Sequence, residues 1–283
     1  MASHVFQQVD VFTAVAFKGN PLAVVVGADH LTDQQMAAIA NWTNLSETTF
    51  LLTSTDPSAD YKVRIFTPER ELPFAGHPTL GSCHVWLATG NVPKRDHIVQ
   101  ECGVGLVRIR RDGKRLAFAA PPLRRSGDVA PDMLARIARA LRIEATAIKA
   151  SQWVDNGPGW VAVMLTTRSE LLAIERDYPA LPGQALGVVA PWNAEGDASR
   201  DGTGAQFEVR AFVGTRAAED SVTGSLNAGL AQWLIGAGLA PDAYIASQGT
   251  KLGRAGRVHV ARIGDDIWIG GDTVTCVEGT ISV

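Results

Sequence analysis

Val63-Arg64-Ile65-Phe66 and Val209-Arg210-Ala211-Phe212 are two copies of one short pattern, and they decide the fold. Each copy alternates side chains in the manner of a half-buried strand. Each is followed by a loop and then by a glycine that opens an apolar segment, at Gly76-His77-Pro78 and at Gly224-Ser225-Leu226. This repetition predicts two halves built on the same plan.

The two segments that begin with these glycines are apolar on nearly every side. Their apolar side chains are Leu80, Cys83, Val85, Trp86 and Leu87 in the first, and Leu226, Leu230, Trp233, Leu234 and Ile235 in the second. Each segment is followed by a glycine, Gly90 or Gly238, which is common just past the last turn of a helix. A helix without a polar face must be covered on all sides. We therefore expect an α+β fold in which a curved, mostly antiparallel, barrel-like sheet wraps around a central apolar helix, once in each half.

Each half also contains an earlier amphipathic helix and several further strands. Thr32-Asp33-Gln34-Gln35 has the sequence of a capping box and predicts the start of this helix in the first half. In the second half, helical spacing is kept by Leu134, Ile137, Ala138 and Leu141. We expect the halves to span residues 1–122 and 123–283, with the final strand able to pair back onto the first half.

Composition argues against several classes of partner. The 283 residues are 46% hydrophobic, and 26 basic against 29 acidic residues give a formal net charge of −3. Without a basic run, we do not expect a nucleic-acid partner. No apolar stretch approaches the roughly 18 residues that a membrane span requires, and three scattered cysteines form no disulfide framework. We therefore expect a cytoplasmic protein without a membrane partner.

The starts of the two apolar helices are the first candidates for a binding site. A helix start carries unpaired N–H groups and a partial positive charge, which attract a carboxylate. Gly76 and Gly224 have no side chain to obstruct its approach, and Pro78 suits a first helical turn. Two such ends facing each other can hold a substrate carboxylate and stabilise negative charge that develops beside it. Taken alone, either segment is also explained as an ordinary helix cap.

Four side chains near these starts can carry out chemistry. His77 can exchange protons near neutral pH, and a positive helix end favours its neutral form. Asp220 can orient a catalytic group or accept a proton, and Ser225 can donate to a carboxylate, although both also fit a simple capping cluster. Glu47 precedes an apolar strand, where a carboxylate is often only a solvated loop residue.

Motifs for other chemistries are absent from the sequence. There is no dinucleotide-binding or P-loop glycine pattern, no HExxH, no GxSxG and no ligand spacing suited to zinc. No cysteine lies at either helix start, so a two-thiol racemase mechanism lacks its bases.

At these residues the sequence resembles the PhzF-like family, which is named for phenazine biosynthesis and is related in fold to diaminopimelate epimerase. The resemblance rests on four motifs in family order: Asp10-Val11-Phe12 with Gly19-Asn20-Pro21-Leu22-Ala23-Val24-Val25; Leu45-Ser46-Glu47-Thr48; Glu71-Leu72-Pro73-Phe74-Ala75-Gly76-His77-Pro78-Thr79-Leu80; and Glu219-Asp220-Ser221-Val222-Thr223-Gly224-Ser225. Together these motifs extend over most of the chain.

The resemblance implies a site between two barrel-like halves, a homodimer, and no metal or organic cofactor. It implies that Glu47 is the proton-transferring carboxylate, with His77, Asp220 and Ser225 as its partners. The backbone amides of Gly76 and Gly224 would hold the substrate carboxylate. Ala75 stands where the epimerase relatives carry a catalytic cysteine. Two positions depart from the family pattern, because Ser221 replaces a proline and Leu226 replaces a small residue.

The function that these observations predict is a cofactor-independent isomerase. It would act on a small carboxylate-containing metabolite, removing a proton from carbon and returning it elsewhere or on the other face. Two alternatives stay open. One is an amino-acid or hydroxy-acid racemase or epimerase that works without pyridoxal phosphate, and the other is a carboxylate-binding protein that has lost catalysis.

Overall fold

Strands form most of the chain in the computed structural model, which describes residues 2–192, 202 and 204–283. The chain divides into two compact units, one of Met1–Ala119 with Gly270–Val283 and one of Ala120–Ile269. The boundary predicted from the sequence, between residues 122 and 123, lies close to the first junction. The last 14 residues, from 270 to 283, belong to the first unit.

The first unit contains two helices among eight strands and is completed by a strand from the end of the chain. Its elements are β1 Ser3–Val11, β2 Asn20–Val26, α1 Asp33–Thr43, β3 Thr48–Leu52, β4 Tyr61–Phe66, β5 Glu71–Leu72, α2 Gly76–Ala88, β6 Ile98–Cys102, β7 Gly105–Asp112 and β8 Arg115–Ala119. These counts refer to the described residues of this unit.

The second unit repeats this order of elements after one additional strand and one additional helix. Its elements are β9 Arg125–Gly127, α3 Pro131–Leu141, β10 Ile148–Asp155, β11 Val161–Leu165, α4 Arg168–Ala173, β12 Leu186–Pro191, β13 Phe207–Val213, β14 Ala218–Asp220, α5 Gly224–Gly236, β15 Ala243–Gln248, β16 Gly256–Ile263 and β17 Asp266–Gly271. The chain returns to the first unit within β17 and ends in β18 Thr273–Ser282.

The strand pairing of the two units is the same over seven strands of each. In the first unit the order is β18-β1-β2-β3-β4-β6-β7-β8, with β2–β3 and β4–β6 parallel and the other pairs antiparallel. In the second it is β9-β10-β11-β12-β13-β15-β16, with β11–β12 and β13–β15 parallel. The short strands β5 and β14 pair antiparallel with β4 and β13. The predicted internal repeat is confirmed as a repeat of topology, but the counterpart of α1 is α4, which also connects two parallel strands, and not the helix predicted around residues 134–141, which is α3.

Each unit has one helix that is buried on nearly every side. Ten residues of α2 and ten of α5 are buried. Helix α2 contacts β1, β2 and β3 and also β8, so strands from distant positions in the sheet order meet on one helix. Helix α5 likewise contacts β10 and β16. Sheets curved around central apolar helices confirm the predicted α+β fold class.

The helix boundaries follow local signals in the sequence. Helix α1 begins after Thr32, and both hydrogen bonds of the predicted capping box are present. Helices α2 and α5 begin at Gly76 and Gly224, as predicted. Both end two residues before a glycine with positive φ, at Gly90 and Gly238. Glycine adopts this backbone conformation at low cost, so it stops a helix.

A second glycine in each central helix permits close packing against the sheet. Gly81 and Gly229 occupy the same position in α2 and α5. A β-carbon at Gly81 would overlap with Leu22 of β2, and one at Gly229 would overlap with the backbone oxygen of Val154 in β10. Backbone atoms cannot move aside in the way that a side chain can, so the constraint is stricter at Gly229.

Replacing Gly229 by Ala should therefore destabilise the protein. Overpacking of this kind costs about 1–3 kcal/mol or more. At Gly236, in the last turn of the same helix, an added β-carbon meets nothing within 4 Å. Gly236→Ala should be neutral or stabilise by about 0.5–1 kcal/mol, because alanine favours a helix. Urea unfolding of the two variants measures the difference, and equal stabilities would contradict the packing argument.

Candidate active site

The predicted residues of the first unit meet at one edge of its sheet. Strands β2 and β3 are parallel neighbours that begin at Asn20 and Thr48, so their amino ends lie together. Glu47 immediately precedes β3. The first turn of α2 brings His77 to the same place, with its ring 3.5 Å from both Asn20 and Glu47.

His77 is a buried and neutral imidazole. Its Nδ1 atom lies 3.5 Å from the side-chain nitrogen of Asn20. Its Nε2 atom lies 3.5 Å from Oε2 of Glu47. Burial lowers the pKa of His77 to about 3, although a hydrogen bond to the backbone of Pro21 acts in the opposite direction. The contact with Glu47 is therefore long and polar rather than an ion pair.

Glu47 has one buried and one accessible side. Its Oε2 atom is inaccessible to solvent, whereas the side chain as a whole keeps 16% of its exposure. The accessible surface therefore belongs to other atoms of the side chain. A carboxylate that faces a neutral imidazole on one side and is accessible on another can accept a proton from a bound carbon acid.

The loop before Asn20 is fixed by a buried carboxylate. Asp10 is 2% exposed, and its Oδ2 atom accepts a hydrogen bond of 2.9 Å from the amide of Gly19. This bond fixes the backbone immediately before Asn20. Both Asp10 and Asn20 lie in the N-terminal motif, but the sequence alone assigned them no role.

The start of α2 has no side chain that can cap it. The residue at the cap position is Ala75, which carries no polar group, and Pro78 has no N–H. The first helical bond runs from the amide of Thr79 to the oxygen of Ala75, at 3.2 Å. The amides of Gly76 and His77 precede it, so they have no partner within the helix.

The start of α5 in the second unit is also uncapped, for a different reason. Thr223 stands at the cap position, but its side chain makes no capping bond. Instead its hydroxyl donates to Oδ2 of Asp220, at 2.6 Å. The amides of Gly224 and Ser225 thus lie at a helix start whose cap residue is engaged elsewhere.

Ser225 is oriented by a loop that follows β10. The indole nitrogen of Trp160 donates to its hydroxyl oxygen at 3.0 Å, and the amide of Asn156 donates to its carbonyl oxygen at 2.8 Å. An indole N–H is only a donor, so Ser225 accepts this bond and its own proton can be donated to a ligand. No pattern in the sequence indicated a role for Trp160 or Asn156.

A buried glutamine ties each central helix to the strand that follows it. Gln248 in β15 accepts from Asn227 of α5 at 2.9 Å, and Asn227 also donates to the carbonyl of Thr223 at 2.9 Å. In the first unit, Gln100 of β6 donates to the hydroxyl of Thr79 at 3.1 Å. That hydroxyl donates to the carbonyl of Ala75 at 2.9 Å. We call the pairs Gln248–Asn227 and Gln100–Thr79 the glutamine clamps.

The two positions that depart from the family pattern lie within the second unit. Leu226 is fully buried, and a β-carbon at Gly187 of β12 would overlap with its side chain. The volume of Leu226 is therefore accommodated by a glycine in the core. The carbonyl of Ser221 lies against Gly249, which has a φ of +93°.

The structure thus gathers Glu47, His77 and Gly76 in the first unit. It gathers Asp220, Gly224 and Ser225 in the second. Their catalytic and binding roles stay predictions. Among the described residues, no group of three or more His, Cys, Asp or Glu side chains is arranged to hold a metal ion. None of the described helices is long and apolar enough to cross a membrane.

Comparison with known proteins gives a consistent picture. The family model of the phenazine biosynthesis-like proteins, PhzC-PhzF, matches residues 9–279. Antisense-enhancing sequence 1 of Schizosaccharomyces pombe is 33% identical over 99% of both chains. The trans-2,3-dihydro-3-hydroxyanthranilate isomerase of Pseudomonas aeruginosa is 31% identical, over 97% of this chain and 94% of that one. A PhzF-family crystal structure from Enterococcus faecalis is 25% identical and superimposes with a TM-score of 0.81 over both full chains.

The buried neutral His77 predicts a specific pH dependence of stability. Its pKa is about 3 in the folded protein against an ordinary value of 6.5. Between these values the unfolded chain binds a proton that the folded chain does not. The free energy of unfolding should therefore fall as pH falls from about 6.5 towards 3, by up to about 1.4 kcal/mol per pH unit from this residue.

His77→Asn removes this contribution, so its free energy of unfolding should depend less on pH over the same range. Urea unfolding between pH 4.5 and 7 measures both slopes. Identical slopes for the wild type and the variant would mean that His77 takes up a proton while folded.

Proposed function

This chain belongs to the phenazine biosynthesis-like (PhzC-PhzF) family of isomerases, and from that membership and the geometry of the two helix starts we propose a cofactor-independent proton transfer at carbon. The substrate is a small molecule with a carboxylate. The observation that carries the proposal is Glu47 beside a buried, neutral His77 at the edge of an uncapped helix.

In the proposed reaction, Glu47 removes a proton from a carbon whose anion is stabilised by the carboxylate or by conjugation to it. The C–H bond breaks, an O–H bond forms on Glu47, and the electron pair shifts into the conjugated system. The proton then returns to another carbon, or to the other face of the same carbon. No electrons are gained or lost overall, so the step needs no redox partner. General acid–base catalysis of this kind typically contributes about 10²–10⁴-fold.

The uncapped helix starts supply the binding of negative charge. The amides of Gly76, Gly224 and Ser225 and the hydroxyl of Ser225 are donors suited to a carboxylate. Such donors also stabilise charge that develops in the transition state, where losing one costs roughly 2.7–4 kcal/mol in known sites. Asp220 provides a second carboxylate for proton transfer. We propose that residues of both units act on the same substrate molecule, so that variants in either unit lower the same reaction.

Incorporation of deuterium from D₂O tests the role of Glu47. The first compound would be trans-2,3-dihydro-3-hydroxyanthranilate, the substrate named for the Pseudomonas aeruginosa relative, followed by a panel of unsaturated cyclic acids and amino acids. NMR should show deuterium entering carbon in one compound with the wild type. Glu47→Gln should lower this rate by about 10²–10⁴-fold, because the amide cannot accept the proton.

The control is Glu278→Gln, which makes the same change at an exposed residue of β18 and should leave the rate unchanged. The product separates the alternatives, since a moved double bond identifies an isomerisation and inversion at one centre identifies a racemase. Saturable binding of a carboxylate without exchange would favour a binding protein. Undiminished exchange in Glu47→Gln would remove Glu47 from the mechanism.

Ser225→Ala tests the carboxylate contact separately. Hydrogen bonds to charged groups are worth about 1.5–3 kcal/mol, so KM should rise by roughly 10- to 100-fold, with a smaller fall in kcat. Steady-state kinetics on the compound found above measures both constants. Ser151→Ala on β10 is the matched control in the same unit. An unchanged KM in Ser225→Ala would exclude this hydroxyl from substrate binding.

A further inference from the structure

The cap position of α5 is occupied by a residue that caps other helices of this protein. Thr32 of α1 and Thr167 of α4 both accept a hydrogen bond from the amide three residues later and form complete capping boxes. Thr223 stands at the same position of α5, with extended backbone angles of φ −113° and ψ 105°, yet forms no such bond. Something other than residue type therefore decides where its hydroxyl points.

The orientation of Gln248 supplies the reason. Its Oε1 atom accepts from the backbone amide of Thr223 at 3.1 Å and from the side-chain amide of Asn227 at 2.9 Å. Both partners only donate, so the oxygen of the Gln248 amide must be on this side. Its Nε2 atom then donates to the carbonyl of Asp220 at 3.1 Å and to the hydroxyl oxygen of Thr223 at 3.0 Å.

The hydrogen bond from Gln248 restricts the direction in which the Thr223 hydroxyl can donate its proton. Its oxygen accepts from Gln248, and its proton points to Oδ2 of Asp220, 2.6 Å away. This distance is typical of a short, charge-assisted hydrogen bond to an ionised carboxylate. Gln248 and Asn227 are fully buried and Thr223 is 7% exposed, so water competes little for these bonds.

We infer that Thr223 is a positioning residue: its hydroxyl, oriented by Gln248, holds the carboxylate of Asp220 for proton transfer and is thereby withdrawn from capping α5. One contact then has two effects at the site. It fixes a carboxylate, and it leaves the first amides of α5 for the substrate. The inference rests on the proposed role of Asp220.

The test compares Thr223→Val, which keeps the shape but removes the hydroxyl, with Thr223→Ser, which keeps the hydroxyl. With the compound that shows exchange, Thr223→Val should lower kcat by about 10- to 100-fold, since small displacements of a reacting group have effects of this size. KM should change less than threefold, because the amides of α5 stay accessible. Thr223→Ser should recover most of the lost kcat.

Thr167→Val is the matched control, with the same substitution at a helix cap in the same unit. Thr167→Val loses an N-cap and Thr223→Val loses buried hydrogen bonds, so both variants should lower the melting temperature by about 2–4 °C, but only Thr223→Val should lower kcat. Asp220→Asn separates this inference from the proposed function. If Asp220→Asn retains full activity, the role of Asp220 is wrong. If it loses activity while Thr223→Val keeps it, the positioning role of Thr223 is wrong.

Crystal structures give a readout that needs no substrate. In Thr223→Ser the Asp220 side chain should stay in its wild-type rotamer, and in Thr223→Val it should leave that rotamer or become disordered. An unchanged Asp220 in Thr223→Val would overturn the inference even if no compound is turned over. Thr223→Ala replaces Thr223→Val in all measurements if the valine variant does not fold.

Discussion

A helix with apolar side chains on every face must be surrounded, and this requirement determines the architecture of both units. Helices α2 and α5 each bury ten residues, and their sheets curve so that distant strands contact the same helix. Gly81 and Gly229 allow the sheet to approach more closely than a β-carbon would permit. Burying a helix in this way also buries its polar backbone ends, and each of these needs a partner.

The glutamine clamps solve this problem at the start of each helix. The side chain at the fourth helical position, Thr79 or Asn227, donates to the carbonyl of the cap residue and is itself tied to a fully buried glutamine. A buried amide without partners would be costly, so the glutamine and the helix start must keep their relative positions. The clamps satisfy the carbonyl of the cap residue but do not use the first amides, which stay oriented in a rigid frame.

Local patterns predicted much of this arrangement, and long-range contacts account for what they missed. The strand repeat, the glycines at both helix starts and the capping box of Thr32 depend on neighbouring residues, and the structure agrees with them. The engagement of Thr223 with Gln248 joins residues 25 apart, and Trp160 contacts Ser225 across 65 positions. A threonine before a helical glycine is normally interpreted as a cap, and only the buried amide of Gln248 overrides that preference.

Helices α1 and α4 have side-chain caps at their starts, whereas the central helices α2 and α5 do not. An N-cap contributes about 0.5–2 kcal/mol, and α1 and α4 have threonine caps of this kind. Helix α2 lacks one because its cap residue is Ala75, and α5 lacks one because Asp220 engages Thr223. Helix α3 also has no side-chain cap, but it begins with Pro131, whose missing N–H reduces the need for one. Neither of the two buried helices therefore has the stabilising contact of a side-chain cap, although the reasons differ. An anion bound at their first amides would offset this loss of stability.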